Sequence, residues 1–290
     1  MRFSRELSKP RQLHPFYKHF LFNREHRFIY CYVPKVACSS LKRWFLQIAG
    51  VPLAEARPTI HPYVERRFSL AALPRQEARR LLHDDTVFRF AVVRNPFSRL
   101  VSAYLNKIVR PEGPGMGVIK ADQKGRLWQP GKRLRYEWRK FRTGRGYQAE
   151  IGLSFREFLS YIARRKPAKL NAHWRPQTLI LGNVRFHALL PLEQMDVGFA
   201  RVCARLGLPA GLEMVNRTRR KAKSNDANCY TDWSTAELRT LGAAPRYELF
   251  YDEETRRLAA KLYDEDIALC ERISAEGACN NRSFGDQVAA

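Results

Sequence analysis

Phe28-Ile-Tyr-Cys-Tyr-Val-Pro-Lys-Val-Ala-Cys-Ser-Ser40 is the stretch on which the fold turns. Its first six residues are apolar, aromatic or β-branched without alternation, the pattern of a strand buried on both faces, and Pro34 stops it. Beyond the loop, Leu41, Trp44, Phe45 and Ile48 recur at helical spacing, and Gly50 with Pro52 ends the run. Strand, tight loop and helix open a βα unit, so an α/β fold with a central parallel sheet flanked by helices is expected. The loop delivers Lys35 and two hydroxyls, Ser39 and Ser40, to the start of a helix. First-turn N–H groups carry roughly half a positive charge, and Lys35 adds a full one, so a phosphate or sulfate fits there. Taken alone, the same residues also suit a plain helix cap beside a snorkelling lysine.

A second unit follows. Thr86–Val93 is an apolar run ending in Arg94, and Asn95-Pro96 caps a helix whose buried face is Phe97, Leu100, Val101, Tyr104, Leu105 and Ile108. Arg94 leaves a strand end and Ser102 lies about two helical turns on, so a guanidinium and a hydroxyl are offered to one anion. Read singly, Arg94 is a salt-bridge partner and Ser102 a helix serine bonded to its own backbone. Two anion cradles at neighbouring strand ends suit a nucleotide phosphorylated on both its 5′ and 3′ sides, bound beyond the carboxyl ends of the strands. The G-x-x-x-x-G-K-[ST] pattern is missing, which disfavours ATP or GTP hydrolysis.

The rest of the chain reads more coarsely. A proline-bearing loop at 52–62 and a helix around Ala71–Leu82 separate the two units. Residues 111–150 form a basic insertion in which ten Lys or Arg stand between Lys120 and Arg145, interleaved with Trp128, Tyr136, Trp138 and Phe141. Ser154-Phe-Arg-Glu157 is a capping box. Thr178–Leu181 and Val184–Leu190 read as strands, Gln194–Leu206 as a helix stopped by Gly207, and Asp252–Cys270 as the last strong helix. One domain is expected over 28–272, with a 1–27 extension and a 273–290 tail.

Lys plus Arg number 52 against 28 Asp plus Glu, a net charge of +24. Such a field recruits polyanions: nucleic acid, acidic polysaccharide, anionic membrane or a multiply charged nucleotide. The six cysteines lack CxxC pairs and read as reduced or buried thiols. The N-terminus has charges and a proline where a signal peptide needs an apolar core, and no run of 18 apolar residues occurs. A soluble, cytoplasmic protein with peripheral membrane attachment through its basic surface is the expectation.

YVPKVACSSLKRWF at 32–45 resembles the 5′-phosphosulfate-binding motif, and FAVVRNPFSRLVSAYLNKI at 90–108 the 3′-phosphate-binding motif, of the chondroitin and dermatan 4-O-sulfotransferase group of carbohydrate sulfotransferases. Asn171-Ala-His-Trp174, Leu192-Glu193, Val215-Asn-Arg-Thr218 and Leu262-Tyr-Asp-Glu-Asp266 resemble that family in order. The resemblance implies a P-loop-NTPase-like sulfotransferase fold and transfer of a sulfuryl group from 3′-phosphoadenosine 5′-phosphosulfate (PAPS) to a hydroxyl of a glycan or glycolipid, without a metal. It makes Lys35, Ser39, Ser40 and Lys42 the 5′-phosphosulfate contacts, and Arg94 and Ser102 the 3′-phosphate contacts. Family members show Thr-Asn where this chain has Ser39-Ser40, and they carry a transmembrane stem, so a soluble bacterial-type member is expected. Lys35 is placed to stabilise charge on the leaving oxygen. The base would be His61, which lies between the motifs and is expected in an extended loop because Pro62 follows it, or His173 in the His-Trp pair, with Glu193 a lesser candidate. Two rival classes remain, a basic nucleic-acid-binding protein and a nucleotide kinase-like P-loop enzyme.

Overall fold

The computed structural model describes residues 16–56, 59–110, 153–212 and 228–285, with side chains to residue 275. Four strands form one sheet in the order β1-β2-β3-β4: β1 Phe20–Asn23, β2 Phe28–Cys31, β3 Phe88–Val93 and β4 Ala188–Pro191. β2, β3 and β4 are parallel, with Phe28 opposite Phe88 and Phe90 opposite Ala188. β1 is antiparallel to β2, pairing Phe20 with Cys31. The expected parallel sheet is therefore a small mixed one, and its antiparallel edge comes from the segment read as an N-terminal extension. Every residue of β2 is buried, as an unalternating apolar run requires.

The described residues divide into two compact units. The first holds the sheet with residues up to Asn95, Gln177–Arg217 and the chain from Ala268. Its helices are α1 (Cys38–Ile48), α2 (Ile60–Phe68), α3 (Arg75–His83), α6 (Gln177–Leu181) and α7 (Met195–Leu206). Its core packs Phe28 against Trp44, Phe45 and Phe90, joining both expected βα units in one apolar layer. The Phe28, Phe45 and Trp44 rings meet edge-on or tilted, as their quadrupoles favour.

The second unit covers Pro96–Pro176 and Thr218–Ile267. It is helical: α4 (Pro96–Tyr104), α5 (Phe155–Ala163), α8 (Thr235–Thr240) and α9 (Glu253–Leu262), with the opening turn of α10 (Asp264–Gly285). Tyr104, Phe155, Phe158 and Phe250 centre its own core. The predicted capping box opens α5: Ser154 Oγ accepts from Glu157 N–H, and Glu157 returns a bond to Ser154 N–H.

Three expectations about elements change. Thr178–Leu181 is part of helix α6 and not a strand, since a short apolar run reads the same whether it is buried as helix or sheet. The single helix expected at Asp252–Cys270 is two, broken at Tyr263, a buried residue whose hydroxyl donates to Trp174 O at 2.6 Å. The segment expected as a 273–290 tail outside the domain continues helix α10 as far as Gly285. The 111–150 insertion and Val215–Thr218 lie outside the described residues. Cys31, Cys38, Cys203, Cys229 and Cys270 are free thiols.

Asp252 caps α9, accepting from Thr255 N–H at 2.8 Å and pairing with Arg156. Burial raises its carboxyl pKa, but the Thr255 and Arg156 hydrogen bonds outweigh that and hold it at about 2, against an ordinary 3.8. A lowered folded pKa contributes stability above the unfolded value that is lost as pH falls through the folded one. Asp252→Ala should therefore unfold with a shallower pH dependence between about pH 4 and 2 and lose ~1 kcal/mol at pH 7, measured by urea titration at each pH.

Candidate active site

The carboxyl ends of β2, β3 and β4 build one rim. After β2, Lys35 has φ 71° and Ala37 φ 45°, left-handed conformations taken without glycine. Alternating φ signs through 35–37 curl the chain so that successive N–H groups face one side, the concavity that binds anions. The N-cap of α1 is Ala37, whose methyl offers the helix no side-chain cap. A left-handed turn at a helix N-terminus has the geometry that suits an anion.

After β3, Arg94 Nη1 donates to Lys35 O at 3.1 Å. That bond brings the lysine turn and the arginine turn together on the same rim. Arg94 is held there by a residue that sequence reasoning missed. Gln177 is fully buried at the start of α6; its Oε1 accepts from Arg94 N–H at 3.0 Å and its Nε2 donates to Arg94 O at 2.8 Å. Cys270 Sγ also donates to Arg94 O, at 3.5 Å. No local pattern marks Gln177, because its partner is 83 residues away. After β4, Glu193 Oε1 accepts from Asn95 N–H at 3.3 Å, placing a carboxylate beside Arg94.

His61 also joins the rim, though not as expected. It lies in the first turn of α2, not in an extended loop; a proline in that turn lacks only an N–H that the helix leaves unpaired, so Pro62 is accommodated. His61 Nε2 is 3.2 Å from Ser39 Oγ, and its Nδ1 is 3.2 Å from Lys42 Nζ. Lys42, expected as a phosphosulfate contact, is instead wholly buried. Its ammonium lies 2.9 Å from Glu65 Oε1 and 3.5 Å above the Tyr32 ring centre, and Tyr32 OH donates to the same Glu65 oxygen at 2.6 Å. Burial lowers the Lys42 pKa against the opposing pull of Glu65. Burial would raise the Glu65 carboxyl, but the Lys42 charge and the bonds from Tyr32 and Lys42 carry it below its ordinary value. Ser40 is buried and Lys35 half-buried.

Ser102 and His173 belong to the second unit. Ser102 is half-buried on α4. His173 sits in a tight turn where Asn171 Oδ1 accepts from His173 N–H at 3.0 Å and meets its Nδ1 at 2.7 Å. Buried Arg99 pins this turn by donating to Ala172 O and Arg175 O.

A cleft of about 620 Å³ lined by Tyr17, Arg75, Arg79 and His83 contains none of the rim residues. We place the site at the rim because the converging N–H groups, the guanidinium and the left-handed turn are there.

Residues 18–270 match the Sulfotransferase family. The chain belongs to it. Among the relatives of this sulfotransferase-family chain, carbohydrate sulfotransferase 14 of Danio rerio is 37% identical over 174 residues, 58% of this chain and 42% of the relative. Carbohydrate sulfotransferase 14 of Homo sapiens is 35% identical over 161 residues, covering 55% and 38%, and carbohydrate sulfotransferase 11 of Danio rerio is 28% identical over 170 residues, covering 54% and 44%. The chain thus spans less than half the length of these curated relatives. No solved structure matches it. The relatives are animal proteins and lend no support to a bacterial-type member. The similarity to these carbohydrate sulfotransferases contradicts the cytoplasmic placement expected from the sequence. Among the described residues no helix is long and apolar enough to cross a membrane.

Gln177→Leu keeps the bulk but strips both bonds from a buried peptide group. It should cost ~1–3 kcal/mol, the penalty of leaving such a group unpaired, and lower the melting temperature. Wild-type stability in this variant would show that Gln177 does not hold the Arg94 turn.

Proposed function

We propose that this chain transfers a sulfuryl group from PAPS to a hydroxyl of a carbohydrate acceptor, on a P-loop-NTPase-like variant of the α/β fold. The observation that carries the reading is the Arg94–Lys35 bond, which puts two anion-binding turns side by side, as a donor phosphorylated at both ends demands. The family and the names of its relatives support the same chemistry. The residues fit such a donor: a left-handed turn at a helix N-terminus for one anion and a guanidinium for the other.

When bound, PAPS supplies the sulfuryl group; its S–O bond to phosphate breaks as one forms to the acceptor oxygen, and the hydroxyl proton leaves. Little covalent work falls to the protein, so its contribution is alignment and charge stabilisation. Lys35 and the first-turn N–H groups of α1 meet the charge that builds on the leaving oxygen. Ser39 adds a hydroxyl to that turn, and Arg94 binds the second phosphate. Ser102 and His173 enter this reading through the family resemblance. The acceptor is a glycan or glycolipid; an anionic one suits the net charge of +24. The nucleic-acid reading explains that charge and leaves both turns without a task.

Incubation with labelled PAPS and a panel of glycans and glycolipids should transfer label to at least one. Lys35→Ala should lower kcat by roughly 10²–10³. Adenosine 3′,5′-bisphosphate at a hundredfold excess over its Kd should stabilise the fold by about 2.7 kcal/mol. A protein that ignores this nucleotide but binds oligonucleotides with a steep salt dependence is no sulfotransferase.

A further inference from the structure

The buried ammonium of Lys42 has three hydrogens and meets three acceptors: Glu65 Oε1, the Tyr32 ring face and His61 Nδ1. An ammonium can only donate. His61 Nδ1 facing it must therefore be the lone-pair nitrogen, and the proton of a neutral imidazole must sit on Nε2, whose neighbour is Ser39 Oγ. The opposite assignment, a neutral amine accepting from Nδ1–H, would strip the Glu65 carboxylate of the one cation it touches, at 2.9 Å, in a site that already excludes water from Lys42.

We propose that Lys42 and Glu65 are positioning residues that hold His61 as its Nε2–H tautomer, so that His61 meets the sulfuryl donor as a hydrogen-bond donor and not as the base. This role rests on the function proposed above; the tautomer itself does not. Pressing a second proton onto Nδ1 would set an imidazolium against the Lys42 ammonium, and a base at Nε2 would need the lone pair that this tautomer lacks. The other charged or titratable groups facing the cluster are Lys18 and His19 from the turn ahead of β1, Tyr32 beyond β2 and Cys38 at the head of α1. Burial brings His19 down to about 4 and pushes Tyr32 far above its ordinary value, so both are uncharged at neutral pH. Of the charges that remain, Lys18 acts through space, whereas Lys42 touches His61 directly and is itself held by Glu65, so this pair sets the proton on His61. The hydroxyl proton then goes to a carboxylate, for which Glu193, beside Arg94, is the group on this rim.

The tautomer can be read without any turnover. In long-range ¹H–¹⁵N spectra of the full chain labelled at histidine, with the His61 signals identified by their loss in His61→Gln, Nε2 should be protonated and Nδ1 bare at pH 7. Glu65→Gln and Lys42→Met should both shift that pattern; Glu65→Gln, the milder change, decides the matter if Lys42→Met does not fold. An Nδ1–H tautomer, an imidazolium, or signals indifferent to Glu65→Gln would overturn the inference even if transfer is confirmed. Kinetics then test the role. Gln retains an N–H near the Nε2 position but cannot act as a base, so His61→Gln should keep at least ~10-fold more kcat than His61→Ala. Glu193→Gln should cost more than His61→Gln and remove the acidic limb of the pH–rate profile. Equal losses in His61→Gln and His61→Ala would make His61 the base after all. If no variant or wild-type protein transfers sulfate, the proposed function fails while the spectra still decide the tautomer.

Discussion

A guanidinium at the end of one strand donating to a carbonyl in the turn after its neighbour is the constraint around which the site is organised. Arg94 reaches Lys35 O only because its own peptide is locked on both sides by Gln177 and braced by Cys270. The parallel register of β2 and β3 ends both strands at one edge, and the Arg94 bond converts that adjacency into a shared surface. A long, flexible cation held this way loses its entropy on folding rather than on ligand binding, which is what preorganisation means for an anion site.

The lysine turn is tuned by what lies beneath it. Left-handed backbone at Lys35 and Ala37 is costly for residues with a Cβ and persists where the surroundings over-determine it. Here the supports are Val33 ahead of the turn and Val36 between its two left-handed residues, both wholly buried, and the helix that starts at Cys38. One turn into that helix, Lys42 stays buried because a carboxylate, an imidazole nitrogen and an aromatic face take its three hydrogens. A buried charge satisfied so completely holds its partners in fixed positions.

The βα units were legible because their signals are local. The apolar run at 28–33, the helical spacing of Leu41, Trp44, Phe45 and Ile48, and the Asn95-Pro96 start of α4 each lie within a dozen residues. The Ser154–Glu157 capping box was legible for the same reason. The helix at Gln177–Leu181 was not, since five residues carry too little periodicity to separate helix from strand. Pro62 argued for a loop at His61 by a rule that holds within helices and before them but yields in a first turn. The break at Tyr263 depends on a hydroxyl that finds a carbonyl 89 residues back.

From residue order alone came the α/β class, the turns after the two strands and the family to which their motifs point, because strand runs, helix starts and motif spacing are short-range properties of a chain. Which charges face a ligand and which are buried was decided by tertiary structure. Lys35 and Lys42 are both lysines of one motif, but only packing against Glu65, His61 and Tyr32 draws the second inside. Gln177 became part of the site in the same way, by meeting across the fold a peptide that its own neighbours in sequence never touch.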